Sequence, residues 1–150
     1  KRQLQQRAEL ERLLQAVLPV LDGKPLLVKI APDLPDEDIP GVVDVLTAQG
    51  VAGVIATNTT VQRPAGLKEP QAKETGGLSG QPVRARATEV VRLIAQHAGD
   101  RLPIIGVGGI ASASDAREKL DAGASLVQLY TGFIYHGPGL PRRIVRGLVR

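Results

Sequence analysis

Leucine and valine positions near the start of the chain recur in the rhythm of one helical face. Leu10, Leu13, Leu14, Val17, Leu18 and Leu21 are separated by alternating steps of three and one, and Gly23-Lys24-Pro25 closes the run. This spacing predicts an amphipathic helix. Residues 26–31 form an apolar run interrupted only by Lys29 and halted by Pro32-Asp33, which predicts a short buried strand with one embedded charge. A second helix is expected next. It is opened by Asp36, Glu37 and Asp38, which suit the positive end of its dipole, faced by Ile39, Val42, Val43 and Leu46, and stopped by Gly50.

The pattern then repeats. A strand over 53–57 leads into a loop over 58–81, and a helix carrying Val90, Val91, Ile94 and Ala95 ends at Gly99. A strand over 103–107 precedes a helix opened by the capping pattern Ser112-x-x-Asp115, and a strand over 125–129 precedes a helical turn and a last helix with Leu140, Ile144 and Leu148. Apolar strands alternating with helices predict a parallel sheet covered by helices, either doubly wound or a (β/α) barrel. The echo between 50–57 and 123–130, each a glycine, two residues and a strand, favours a repeated βα unit and the barrel. A closed eight-unit barrel needs about 250 residues. Four strands in 150 residues therefore predict the half of one.

Composition changes the picture in three ways. Zero cysteines exclude a disulfide framework and a thiolate metal site, and neither histidine sits at ligand spacing, so no metal site is expected. His97 near a helix end and His136 in a glycine-proline turn read as structural. The +4 net charge is concentrated at the two ends, in Lys1, Arg2, Arg7 and Arg12 and in Arg142, Arg143, Arg146 and Arg150, and reads as solvated helix faces. Three aromatic residues leave no stacking platform for nucleic acid. The longest apolar runs are far shorter than the roughly 20 residues of a membrane-spanning helix. A chain that starts with Lys1 rather than Met is expected to be a piece of something larger.

Barrel folds place their chemistry at the C-terminal ends of the strands, and each of the four ends here is informative. An ammonium at Lys29 inside an apolar strand either emerges at the strand end or faces an anionic ligand. Thr57-Asn58-Thr59-Thr60 offers donors and acceptors for a planar polar ligand, or simple turn chemistry. Thr75-Gly76-Gly77-Leu78-Ser79-Gly80 and Gly106-Val107-Gly108-Gly109 let backbone N–H groups approach phosphate oxygens closely. Tyr130-Thr131-Gly132 at the fourth strand completes a phosphate site of the kind that barrels build at their last two strands.

Five strings, in order, carry a resemblance: VKIAPDL at 28–34, ATNTT at 56–60, ETGGLSG at 74–80, IIGVGGI at 104–110 and GASLVQLYT at 123–131. Together they resemble the quinone-dependent class of dihydroorotate dehydrogenases, over Pro25 to the C-terminus. Thr-Asn-Thr-Thr and the Tyr130-Thr131 pair favour this class over the soluble fumarate- or NAD-linked ones. The resemblance implies that residues 1–150 are the C-terminal half of an FMN-binding (β/α)8 barrel whose upstream half is absent from the chain. It implies an FMN enzyme of pyrimidine synthesis that oxidises dihydroorotate to orotate, a base taking the C5 proton while the C6 hydride goes to flavin N5. By matched position, Lys29 would stabilise the reduced, anionic flavin ring and Thr57 would line it. Asn58 and Thr59 would hydrogen-bond orotate, and Gly80, Gly109, Tyr130 and Thr131 would cradle the FMN phosphate.

The family's base is a serine in a Ser-Pro-Asn loop, and no such string occurs here. Ser79, Ser112, Ser114 and Ser125 are the only serines, and their loop, helix-start and strand-start positions suit none of them for that role. No catalytic base is therefore expected in this chain, and the piece alone is expected to be inactive. The quinone and peripheral membrane contacts would come through an N-terminal part. The location implied is the cytoplasmic side of a bacterial membrane or the mitochondrial inner membrane. Two other readings stand beside this one: another FMN barrel, such as a soluble-class dihydroorotate or dihydropyrimidine dehydrogenase, and a non-catalytic half-barrel acting by assembly.

Overall fold

The computed structural model describes residues 7–64, 67 and 73–149. Four parallel strands, β1 (Leu27–Ile30), β2 (Gly53–Ala56), β3 (Ile104–Val107) and β4 (Leu126–Gln128), lie side by side in the order of the sequence. Helices α2 (Ile39–Ala48), α3 (Arg84–Ala98) and α4 (Ala113–Asp121) make the three crossovers, with α1 (Arg7–Val17) before them and α5 (Thr131–His136) and α6 (Leu140–Leu148) after. A doubly wound sheet reverses its strand order at a switch point. The order β1-β2-β3-β4 contains no reversal, so the four units form a stretch of barrel wall.

Register divides the side chains between two faces. Ile30, Ala56, Gly106 and Val127 pair across the sheet on the helix side, and Lys29, Ile55, Ile105 and Leu126 pair in the next row on the opposite side. The main core lies under the helices and joins Ile30, Val54 and Ile104 to Leu46, Val91 and Ile94. Ile110, Ala116, Leu140 and Ile144 form a second cluster beneath α4 and α6. Across the sheet Ile55 and Ile105 are half-buried, while Leu27 is 42% and Leu126 62% exposed. Lys29 stands on the same face and is itself exposed, so the expected burial of its charge does not occur. One face of an apolar strand can remain open, a distinction invisible in the run of residue types.

Helix α1 is shorter than its periodicity predicts. Pro19 supplies no N–H and clashes with the preceding turn, so the α-helix stops at Val17 and continues only as a 3-10 turn over Leu18–Val20. Only Leu10 and Leu14 of the predicted stripe are buried, and Leu13 is exposed. The predicted cap of α4 does form, with Asp115 N–H donating to Ser112 Oγ at 3.1 Å. Asp115 Oδ2 reaches one residue beyond the usual box and accepts the Ala111 N–H at 3.0 Å.

Helix α4 also carries a buried cation. The Lys119 side chain is fully buried and lies across Gly106 of β3, where a Cβ would sit 3.1 Å from Lys119 Cβ. Its Nζ donates to the Arg84 carbonyl at 3.0 Å and to Thr88 Oγ1, and so ties α4 to the start of α3. Burial pushes its pKa down from 10.5 to about 8. Between pH 8 and 10.5 the unfolded chain therefore holds a proton that the folded chain has lost, and stability should rise with pH through that window. The expected result is a urea midpoint that climbs from pH 8 to pH 10 in the wild type relative to Lys119→Met. Parallel curves for the two proteins would rule the effect out.

Candidate functional site

The C-terminal ends of the four strands open onto one cavity of ≈ 310 Å³. Lys29, Thr57, Asn58, Thr59, Gly80, Gly109, Tyr130 and Thr131, the eight site residues singled out in the sequence, all line it. A wider recess of ≈ 960 Å³ adjoins it, shares Ser79, Gly80, Gly109 and Thr131, and extends to Gln81, Tyr135 and His136.

The end of β2 is fixed by its own polar groups. Thr57 is buried, its N–H donating to the Val107 carbonyl at 3.0 Å and its Oγ1 to the Asn58 carbonyl at 2.9 Å. Asn58 Oδ1 accepts the Thr59 N–H at 2.9 Å, which leaves the amide NH2 of an exposed side chain to face the cavity's solvent. The Asp33 carboxylate just beyond β1 accepts from Thr60 Oγ1 and from Val61 N–H, the latter at 3.1 Å. The strand-end segment is thus held on both sides, which is a precondition for orienting a bound planar molecule.

The predicted loop over 58–81 folds back on this segment. Thr60 and Leu78 form an antiparallel bridge, and Arg63 Nη2 donates to the carbonyls of Glu74 and Gly76 at 2.8 and 3.1 Å. Residues 65–66 and 68–72 lie outside the described residues. The fold-back brings Ser79 and Gly80 against the start of α5, where Thr131 Oγ1 donates to Ser79 Oγ at 2.9 Å. Ser79, set aside in the sequence as a loop residue, is therefore part of the cavity wall.

Three glycines make the cradle. A Cβ at Gly80 would sit 3.1 Å from Thr131 Cγ2, and one at Gly109 would sit 2.9 Å from the Arg84 Cα. At Gly132 it would overlap the Ile110 carbonyl oxygen. Gly80 and Gly109 also have φ of 80° and 70°, where L side chains are strained. All three line the cavity, and glycine at such a wall allows close approach of a ligand to the backbone, in the manner that suits an anionic oxygen. Lys29 adds the cation: among the described residues it has no ion-pair partner, and its side chain is exposed at the cavity.

Sequence reasoning missed Gln128 and Leu129 as lining residues. It also read Asp115 as a helix cap alone. Both histidines lie away from the smaller cavity: His97 Nε2 contacts Asp44 Oδ1 at 2.7 Å, holding the Asp44 carboxyl below its ordinary pKa, and the His136 carbonyl accepts from Arg143. No helix among the described residues is long and apolar enough to cross a membrane.

Comparison with known proteins gives one consistent result. A family model described as dihydroorotate dehydrogenase matches residues 1–150. A relative from Marinomonas sp. (strain MWYL1), named dihydroorotate dehydrogenase (quinone), is 60% identical over 81% of this chain and 35% of its own length. A Chromobacterium violaceum protein of the same name is 58% identical over 93% of the chain and 43% of its own length. The crystal structure of the Eimeria tenella DHODH in complex with ferulenol superposes with a TM-score of 0.93 at 38% identity, over 98% of this chain and 45% of that one. The ligand-free form from the same organism also gives 0.93, at 39% identity over 98% and 46%. The chain spans less than half the length of each of these relatives. Their fold is a TIM barrel, of which the four βα units here are a part.

Proposed function

This chain belongs to the dihydroorotate dehydrogenase family, and on that premise we propose that its gene product oxidises dihydroorotate to orotate in pyrimidine synthesis with FMN as cofactor, and passes the electrons to a quinone. The observation that carries this reading is the convergence of Gly80, Gly109 and Gly132 with Lys29 on one cavity. A glycine-lined wall at the ends of the last two strands fits a phosphate group, and a cation lining the same cavity fits a ring that gains negative charge.

FMN, when bound, supplies the acceptor for the substrate hydride. The chain's own residues do the rest of what this segment contributes. Gly80, Gly109, Tyr130 and Thr131 hold the phosphate end through their backbone. Lys29 places a positive charge where negative charge develops, and Thr57 closes the wall between Val107 and the β2 turn. Asn58 and Thr59 hydrogen-bond the planar substrate. The base that takes the C5 proton is supplied from outside residues 1–150, as are the contacts with quinone and with the membrane surface, so this segment alone is inactive.

Dihydroorotate-dependent reduction of a water-soluble quinone by the full-length gene product, with FMN released on denaturation, is the expected result. A folded, flavin-free product without this turnover would overturn the reading. Within it, Asn58→Ala removes a substrate contact and leaves the phosphate cradle intact. KM for dihydroorotate should rise roughly tenfold or more, the loss of one oriented hydrogen bond to a charged ligand. Flavin content should stay at the wild-type level, and an unchanged KM would remove Asn58 from the substrate site.

A further inference from the structure

The turn that follows β3 is held by two side chains, Gln81 at the edge of the wider recess and Asp115 at the start of α4. Gln81 Nε2 donates to the Gly109 carbonyl at 2.9 Å. Asp115 Oδ2 accepts the Ala111 N–H at 3.0 Å, and it also accepts Ser112 Oγ–H at 2.8 Å. Asp115 Oδ1 is taken by the Arg84 guanidinium. These bonds fix successive peptide planes. In a trans peptide the C=O and N–H point in opposite directions. Drawing the Gly109 carbonyl toward Gln81 therefore turns the Ile110 N–H the other way, and drawing the Ala111 N–H toward Asp115 turns the Ile110 carbonyl away from it, onto Gly132.

We infer that Gln81 and Asp115 are positioning residues of the anion cradle: they set the peptide planes of the Gly109–Ala111 turn before any ligand arrives. The inference rests on the reading that a phosphate group lies against Gly80, Gly109 and Thr131. Asp115 is buried, and both of its carboxylate oxygens are engaged by donors from the turn, from Gln81 and from α3. It therefore acts through the turn and not on the ligand. Its negative charge close to an anion site is offset by Arg84 and by the buried Lys119 nearby. Burial alone would raise the Asp115 carboxyl pKa, yet the bonds from Ala111, Ser112 and Arg84 outweigh it and hold the group ionised below the ordinary range. The Ser112 cap of α4 is a separate bond, from Asp115 N–H, so the carboxylate's grip on Ala111 is not needed to start the helix.

An oriented turn matters only to a ligand that carries the phosphate. The test is the affinity of the full-length apoprotein for FMN and for riboflavin, read by flavin fluorescence, in the wild type, Gln81→Met and Asp115→Asn. Methionine keeps the length of Gln81 and removes its donor, at a position already exposed to solvent, so this variant is expected to fold whatever happens at Asp115. The expected result is a Kd for FMN weakened about tenfold by loss of one preorganised hydrogen bond, with riboflavin affinity unchanged. Equal weakening of both flavins, or a wild-type FMN-to-riboflavin ratio in Gln81→Met, would overturn the positioning role. A wild type that does not distinguish the two flavins would instead overturn the phosphate reading itself, and the inference with it.

Discussion

Lys29→Ala should lower kcat of the full-length gene product by about 100-fold, comparable to losing one preorganised donor at a site of developing charge. Lys29 is the penultimate residue of the first strand, on the face opposite the helices, exposed at the cavity and with no ion-pair partner among the described residues. At about 4 Å and an effective dielectric near 20, a unit charge stabilises an anion by roughly 4 kcal/mol before desolvation is subtracted. Because the stabilised form is the reduced one, the variant should also show a more negative flavin potential, by about 60 mV if some 2.7 kcal/mol is lost in a two-electron couple. Stopped-flow reduction by dihydroorotate and a redox titration read the two quantities separately. Wild-type values for both would place Lys29 outside the reaction.

The second large effect is expected at Gly109. An alanine there meets the Arg84 Cα at 2.9 Å, a backbone atom that no rotamer change can move aside, and it sits at a φ of 70°. The left-handed conformation costs about 1–2 kcal/mol for an L residue, and overpacking adds about 1–3 kcal/mol. Gly109→Ala should therefore yield protein with little bound flavin and a clearly lowered melting temperature. Gly137 separates the two costs. It has a similar φ of 72° but nothing within 4 Å of its Cβ position, so Gly137→Ala should lose about 1–3 kcal/mol by backbone strain alone and keep its flavin. Flavin absorbance per protein and thermal melts compare the two, and equal flavin loss in both would show that the clash with Arg84 is not the cause.

These two residues also show what a sequence can disclose about a site. Gly109 was legible because a Gly-Gly pair at a strand end has few uses other than a left-handed turn or a close backbone approach. Lys29 was legible as a charge in an apolar strand, but its surroundings were not. The run of residue types suggested burial, and the strand in fact has one covered face and one open face. Ser112 and Asp115 were recognised as a cap, since capping is a contact between residues three apart. The carboxylate's additional bonds to Gln81 and Arg84 cross more than 30 positions and left no local trace.

The sequence by itself determined the order of helices and strands, the four strand ends that line the cavity, and the glycines among them. These are properties of local spacing, of the conformations each residue type permits, and of turn chemistry within a few positions. Only the tertiary structure decided the rest: that the strand order runs without reversal, that Lys119 is fully buried across Gly106, and that Gln81 and Asp115 hold the turn at Gly109. Apolar periodicity states which face of an element is covered but not which element covers it. The position of a polar side chain in a buried network depends on that second fact.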